Sequence, residues 1–276
     1  MVANNILHAK KSLGQNFLKS QGALKTMVAA AKIEKGNKVL EVGPGKGVLT
    51  EKLLEAGSEV VAVEKDDRLI EFLKEKFTVE IENGTLKLIH ADILDLDLSP
   101  YLQTTNYKLV ANIPYYITGQ FLRLFLSGAI KPSCAVLLLQ KEVAKRIVAR
   151  DEKESILSLS VKAYGKPRYI ETVQAKYFSP VPKVDSAIIL IDEIGPFPSE
   201  SNENTFFALV KTAFSHKRKM AAGNLKKILD EKEISESFKN CEISSQARAE
   251  DIPLEKWICL ATFHKDSQLI ERHPKG

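Results

Sequence analysis

Asn112, Ile113, Pro114 and Tyr115 bring together the groups needed to hold an aromatic amine. They close the apolar run over residues 107–111, which reads as a buried strand stopped at a proline. Pro114 has no N–H for a sheet ladder and disfavours helical backbone at Ile113, so the chain leaves the strand extended. An exocyclic amine carries two hydrogens and needs two acceptors. Asn112 Oδ1 and the Ile113 carbonyl can supply them, and the Tyr115 ring can stack on the heterocycle, a contact worth about 1–3 kcal/mol. Taken alone, the segment reads as an ordinary asparagine–proline turn. The rest of the chain reverses that reading.

Three further polar features fall at strand ends. Gly43-Pro44-Gly45-Lys46-Gly47 follows an apolar strand and opens a helix, which lets backbone approach a nucleoside closely, although a tight strand-to-helix turn needs glycine in any case. Glu64 comes about twenty residues later, at the end of a second strand, where a carboxylate accepts from ribose hydroxyls. Such a charge-assisted bond contributes about 1.5–3 kcal/mol. Asp92 ends a third strand and can accept from an adenine amine; its ordinary alternative is a helix cap, as a solvated loop is for Glu64. With Asn112 on a fourth strand, the set predicts an adenosine-containing ligand. The GxGxG spacing with an inserted proline departs from the GxGxxG of dinucleotide folds, and no histidine is placed for a hydride site. Both points count against a nicotinamide oxidoreductase.

The elements that must position these groups alternate. Hydrophobic periodicity predicts helices over 21–33 (capped by Ser20), 48–54, 66–77, 118–126, 141–149 and 156–164. It predicts strands over 37–43, 59–63, 86–90, 107–112, 134–140, 171–178 and 185–193. Uninterrupted apolar strands separated by helices imply a mostly parallel, Rossmann-like α/β sheet covered on both faces. The proline-rich link over 179–183 is too short for a crossover, so one of the last two strands is expected to run antiparallel. Gly195-Pro-Phe-Pro198 breaks the alternation, and helices follow over 205–215, 220–229 and 254–263. The expected division is a sheet domain over 1–197 and a small α-helical domain over 198–276.

Composition bounds the rest. At 276 residues, 44% hydrophobic and 27% charged, the chain has the profile of a globular protein with one large and one smaller domain. Its longest apolar stretch, residues 134–139, is far too short to span a bilayer, and no signal peptide is visible. Cys134, Cys241 and Cys259 are few, odd in number and without a CxxC pair, so a reduced, cytoplasmic protein lacking disulfides and zinc is expected. His8, His90, His216, His264 and His273 are scattered, and no metal site is expected. The net charge of +5 is mild, but its distribution is uneven. No acid precedes Glu34, and His216-Lys217-Arg218-Lys219 forms a second basic run. Lys10, Lys11, Lys217, Arg218 and Lys219 are therefore candidates for contact with a phosphate backbone, against the ordinary alternative of solvated faces.

The whole pattern resembles the S-adenosylmethionine-dependent methyltransferases that act on exocyclic amino groups of bases. Within them it resembles the ribosomal RNA adenine N6-dimethyltransferase family of the small-subunit, kasugamycin-sensitivity type. The resemblance is carried by Lys11-Ser-Leu-Gly-Gln-Asn-Phe-Leu18, Glu41-Val-Gly-Pro-Gly-Lys-Gly47, Asn112-Ile-Pro-Tyr-Tyr116, Phe178-Ser-Pro-Val-Pro-Lys-Val-Asp-Ser186, Lys217-Arg-Lys219 with Asn224-Leu225, and Arg248-Ala-Glu250. It runs from about residue 10 to about residue 263. It implies a Rossmann-like methyltransferase fold with a helical RNA-recognition domain, and S-adenosylmethionine as cofactor. Asn16 and Leu18 would pack over that cofactor, with Gly43, Glu64, Asp92 and Asn112 on its remaining positions. Phe178 would face Tyr115 across the target adenine, core packing being the alternative. The implied reaction dimethylates N6 of two adjacent adenosines near the 3′ end of small-subunit (16S) rRNA, in the cytoplasm, with the small ribosomal subunit as partner and the enzyme a monomer. Two rival readings remain. One is a large-subunit rRNA methyltransferase of the macrolide-resistance type, which shares Asn-Ile-Pro-Tyr. The other is a ribosome-assembly factor with incidental turnover.

Overall fold

Strands that are apolar on both faces need cover on both sides, and this chain supplies it by alternating strand with helix. The computed structural model describes residues 8–10, 13–102, 106–149, 151–198 and 203–265. By backbone contacts the chain divides into two compact units, Met1–Ala144 with Gly165–Gly195, and Lys145–Tyr164 with Pro196–Gly276. The single cut at residue 197 expected from the sequence therefore misses one exchange: the segment over 145–164 groups with the C-terminal part.

In the first unit the elements run β1 (Phe17–Leu18), α1 (Gln21–Ala30), β2 (Lys38–Val42), α2 (Val48–Glu55), β3 (Glu59–Glu64), α3 (Asp67–Lys76), α4 (Thr78–Glu82), β4 (Leu86–His90), β5 (Tyr107–Asn112), α5 (Thr118–Ser127) and β6 (Cys134–Gln140). The chain then leaves the unit within α6 (Lys141–Val148), passes through α7 (Ile156–Lys162) in the second unit, and returns as β7 (Lys166–Val173), β8 (Phe178–Ser179) and β9 (Ser186–Asp192). Seven strands form one sheet in the order β4-β3-β2-β5-β6-β9-β7. All neighbours from β4 to β6 are parallel, while β9 runs antiparallel to both β6 and β7. The expected antiparallel strand is thus β9. The central strands bury nearly every side chain, each large aliphatic contributing about 1.5–3 kcal/mol.

Register brings the strand ends level. Val42 lies opposite Val63 on one side and Ala111 on the other, and Glu64 lies opposite His90. Gly43, Glu64, Ala91 and Asn112 therefore emerge along one edge of the sheet.

One expected strand is placed differently. The run over 171–178 is two elements: β7 begins at Lys166 and stops at Val173, residues 175–177 make a 3-10 turn, and β8 is a separate short strand. β7 is one of the sheet's two edge strands and is half-exposed along most of its length, so it tolerates Lys166, Pro167 and Arg168 and shows little apolar signal. β8 pairs antiparallel with β1, Leu18 opposite Phe178 and Phe17 opposite Ser179, in a two-stranded sheet of its own. Asp185 fixes the 3-10 turn that precedes β8, its Oδ1 accepting from the Ala175 amide at 3.0 Å.

The second unit is helical: α8 (Glu203–Ala213), α9 (Ala221–Leu225), α10 (Glu231–Asn240) and α11 (Leu254–Phe263) join α7. Trp257 on α11 is fully buried, with its ring 6.3 Å from that of Phe214. The segment over 145–164 belongs here because Glu154 N donates to the Glu250 carbonyl at 2.8 Å and Lys153 pairs with Asp251. The helix α10 was not foreseen, although an Asp230–Glu233 capping box opens it. Cys241 and Cys259 form a disulfide, correcting the expected disulfide-free chain. Their separation of 18 residues matches no cysteine motif, and only the packing of α10 on α11 brings the two together. Cys134 is buried and free.

Candidate active site

The acid at the end of β3 is held before any ligand arrives. Glu64 Oε1 accepts from the amides of Lys65 and Asp66, both at 2.9 Å, and Oε2 accepts from Gly45 N at 3.2 Å. It is 6% exposed and faces a cavity of about 270 Å³. Burial pushes its carboxyl upward, opposed by those three amides. The solvated-loop alternative for Glu64 is thereby excluded.

The glycine loop divides its labour. Gly45 (φ +59°) lines the cavity, and a Cβ there would meet the Phe17 ring at 3.0 Å. Gly47 (φ +72°) serves packing instead, since a Cβ would strike Phe77 at 2.4 Å. Behind the loop Glu41 is a buried acid that the sequence reading passed over. Its Oε2 accepts from Thr50 Oγ1 at 2.7 Å, Oε1 has no partner among the described residues, and burial pushes its carboxyl up to about 8.

Asn112 ends β5, half-buried and lining the cavity. Its Nδ2 donates to the Asn16 carbonyl at 3.2 Å. With the nitrogen engaged, the same amide presents Oδ1 as an acceptor. Ile113 N donates to the Leu138 carbonyl at 3.3 Å, and Pro114 adopts φ −56°, ψ 131° before the turn over Tyr115–Ile117. The chain thus leaves the strand extended, as the proline requires. The side chain of Tyr115 lies outside the described residues.

Asp92 lines the cavity, pairs with Lys65 and accepts from Leu94 N at 3.1 Å, so it caps its turn as well as facing the site. The hydrogen bond from Lys65 holds its carboxyl below the usual range. Asn16 and Gly43 also line the cavity. Leu18 and Phe178 do not. They are 5% and 1% exposed and belong to one buried cluster with Leu24 and Met27. Phe178, opposite Leu18 across the β1–β8 pair, thus packs in the core, the alternative to a stacking face, and does not line the cavity.

Sequence reasoning missed the residues that hold this edge together. Gln15 lines the cavity and bonds Asp66, and Tyr116 lines it while 62% exposed. The Gly-Gln-Asn-Phe run was the available signal for Gln15. For Asp66 it was its place as N-cap of α3.

The basic candidates separate. Lys10 is engaged by Asp66 at 3.1 Å and Asp67 at 3.3 Å, which raises its pKa, so it is not the free phosphate contact expected. Lys11 lies outside the described residues. Lys217, Arg218 and Lys219 are exposed in a turn between α8 and α9 rather than along a helix. Buried Asn224 shapes that turn, its Nδ2 donating to the carbonyls of Ala213 (2.6 Å) and His216 (3.1 Å). Among the described residues no three His, Cys, Asp or Glu side chains come together as a metal site, and no helix is long and apolar enough to cross a membrane.

A preset carboxylate beside a glycine loop, a second acid and an oriented amide fit a nucleoside with an amine-bearing acceptor beyond it. The comparisons agree with that chemistry. The family model of ribosomal RNA adenine dimethylase matches residues 6–266. The chain is 42% identical over 266 residues to the ribosomal RNA small subunit methyltransferase A of Dehalococcoides mccartyi (strain BAV1), covering 94% of this chain and 90% of that one. To the protein of the same name from Acaryochloris marina it is 39% identical, covering 94% and 98%. Among solved structures, a dimethyladenosine transferase from Plasmodium falciparum superposes with TM-score 0.73 at 26% identity, over 91% of this chain and 98% of that one. The fold also matches that of the 23S rRNA methyltransferase ErmE, with TM-score 0.74 at 24% identity, over 90% and 99%. On the match across nearly its whole length, the chain belongs to the ribosomal RNA adenine dimethylase family.

Proposed function

We propose that this protein transfers methyl groups from S-adenosylmethionine to N6 of two adjacent adenosines near the 3′ end of small-subunit ribosomal RNA, giving N6,N6-dimethyladenosines. It acts as a monomer on the small subunit during its maturation in the cytoplasm. One observation carries the chemistry: Asn112 lines the cavity with its amide nitrogen engaged by Asn16, leaving Oδ1 as an acceptor, and Ile113 lines the same cavity.

The residues present fit the cofactor. Glu64, already held by three backbone amides, would take the ribose, Asp92 the adenine amine, and Gly43, Gly45 and Asn16 the remaining wall. Bound there, S-adenosylmethionine supplies an electrophilic methyl group on a sulfonium sulfur. The adenine N6 lone pair is delocalised into its ring, so N6 is a poor nucleophile. Asn112 Oδ1 and the Ile113 carbonyl hold its two hydrogens and favour a more pyramidal nitrogen with its lone pair aimed outward. No base has to act first, because N6 becomes acidic only as it is alkylated. Unstacking the target base costs a few kcal/mol, and stacking on Tyr115 offsets this. Lys217, Arg218 and Lys219 bind rRNA phosphates.

The test is methyl transfer from tritiated S-adenosylmethionine to unmethylated small subunits, followed by primer extension on both ribosomal RNAs. Stops at two adjacent adenosines of the small-subunit RNA are expected. A single stop confined to the large-subunit RNA would transfer the reading to the macrolide-resistance type.

A further inference from the structure

Asp66 receives far more than a helix cap needs. It is 1% exposed, and its carboxylate accepts from Gln15 Nε2 (2.9 Å), Lys10 Nζ (3.1 Å), Arg68 Nη2 (2.7 Å), Arg68 Nε (3.1 Å) and Arg68 N (3.2 Å). Capping α3 uses only the last of these, and asparagine or serine would serve as well. Two more come from the neighbouring Arg68 side chain, and the remaining two reach back more than fifty positions, from Lys10 and from Gln15, which lies in the segment over 13–17 that lines the cavity. Gln15 is clasped at both ends, since its Oε1 accepts from Lys10 N at 2.7 Å. Next to it, Gly14 (φ +60°) lies against the exposed Tyr116 ring, which a Cβ would meet at 3.3 Å. Beyond it, β1 is zipped to β8. The residue between these anchors is Asn16, whose carbonyl takes Asn112 Nδ2.

We infer that Asp66 and Gln15 are positioning residues for methyl transfer: by docking the segment over 13–19 they fix the Asn16 carbonyl, and that carbonyl sets which end of the Asn112 amide faces the substrate amine. An undocked segment removes the acceptor for Nδ2. The amide is then free to turn its NH₂ toward the substrate, placing donor against donor. Asp66 works in both directions, because its own N–H donates to Glu64 Oε1. One residue thereby ties the carboxylate proposed for the ribose to the segment that orients the acceptor. This inference rests on the reading of Asn112 as the group that holds the amine.

The experiment uses the full-length protein and Gln15→Ala, Asp66→Asn, Asn112→Ala and the Gln15→Ala/Asn112→Ala double variant. Gln15→Ala leaves the helix cap untouched, so its thermal midpoint should stay within about 2 °C of wild type, whereas Asp66→Asn keeps the cap but strands the Arg68 and Lys10 donors and should lower the midpoint further. In the cofactor-free protein, hydrogen exchange at the amides over 15–19 should accelerate about tenfold or more in Gln15→Ala. At saturating cofactor, kcat on unmethylated small subunits should fall about tenfold to a hundredfold. The double variant should be no slower than Asn112→Ala alone, because both changes act through one amide. Wild-type kcat in Gln15→Ala beside a crippled Asn112→Ala overturns the inference alone, as does full additivity in the double variant. Normal turnover in Asn112→Ala overturns the reading beneath it and the inference together. Unchanged exchange over 15–19 in Gln15→Ala shows that Asp66 does not dock the segment, which also overturns it.

Discussion

Asn112 and Asn16, 96 positions apart in sequence, meet at 3.2 Å, the side-chain amide of the first donating to the backbone carbonyl of the second. The contact joins the end of β5 to the segment before β1 and leaves Oδ1 of the Asn112 amide free to accept. Asn112→Ala removes both functions. Because its neighbour Ala111 is buried in the strand while Asn112 itself is half-exposed, the fold should survive. Methyl transfer should fall by at least about a hundredfold, the scale for losing a preorganised polar contact to a transition state. Incorporation of tritium into unmethylated small subunits at saturating cofactor measures it, and near-normal turnover would remove the residue from the mechanism.

Glu64→Ala should weaken cofactor affinity by roughly 1.5–3 kcal/mol, from loss of a charge-assisted bond to ribose. It also strands the amides of Gly45, Lys65 and Asp66, which now point at the carboxylate. Titration calorimetry with S-adenosylmethionine checks this directly. Equal affinities for variant and wild type would sink the assignment.

Glu41 makes stability depend on pH. Burial raises its carboxyl from 4.5 to about 8 in the folded protein, so the folded state keeps a proton that the unfolded chain has released. Stability from this group is complete below about 4.5 and is lost as pH rises through about 8. Glu41→Gln mimics the protonated acid and can still accept from Thr50. The variant should match wild type near pH 5 and exceed it by on the order of 3 kcal/mol near pH 8. Urea unfolding at the two pH values decides, and parallel pH profiles for the two proteins would refute the assignment.

Neutralising Lys217, Arg218 and Lys219 together should weaken subunit binding and flatten the slope of log affinity against log salt by roughly two to three units. Cofactor affinity should not change, because none of the three lines the cavity. Retention of the wild-type slope would reduce the run to a solvated turn.

Much of this architecture could be read from residue order. Leu86–His90, Tyr107–Asn112 and Cys134–Gln140 are strands whose bounds the structure reproduces; Cys134–Gln140, buried on both faces, is apolar up to its last residue, while Lys87 and Lys108 interrupt the other two where they are less buried. Glu64, Asp92 and Asn112 were equally legible: each is a polar residue ending such a run, and parallel register carries every strand end to the same edge. What only the tertiary structure decided was the choice of partner. Lys10 looked like a free cation until Asp66 and Asp67 were brought to it from another element. Phe178 looked like a stacking ring until pairing with Leu18 turned it into the core. Cys241 and Cys259 looked unrelated until two helices packed. Burial periodicity is a local property, written within a few residues of chain. Hydrogen bonds, ion pairs and ring contacts between distant residues depend on which surfaces meet, and that is settled only when the whole chain has folded.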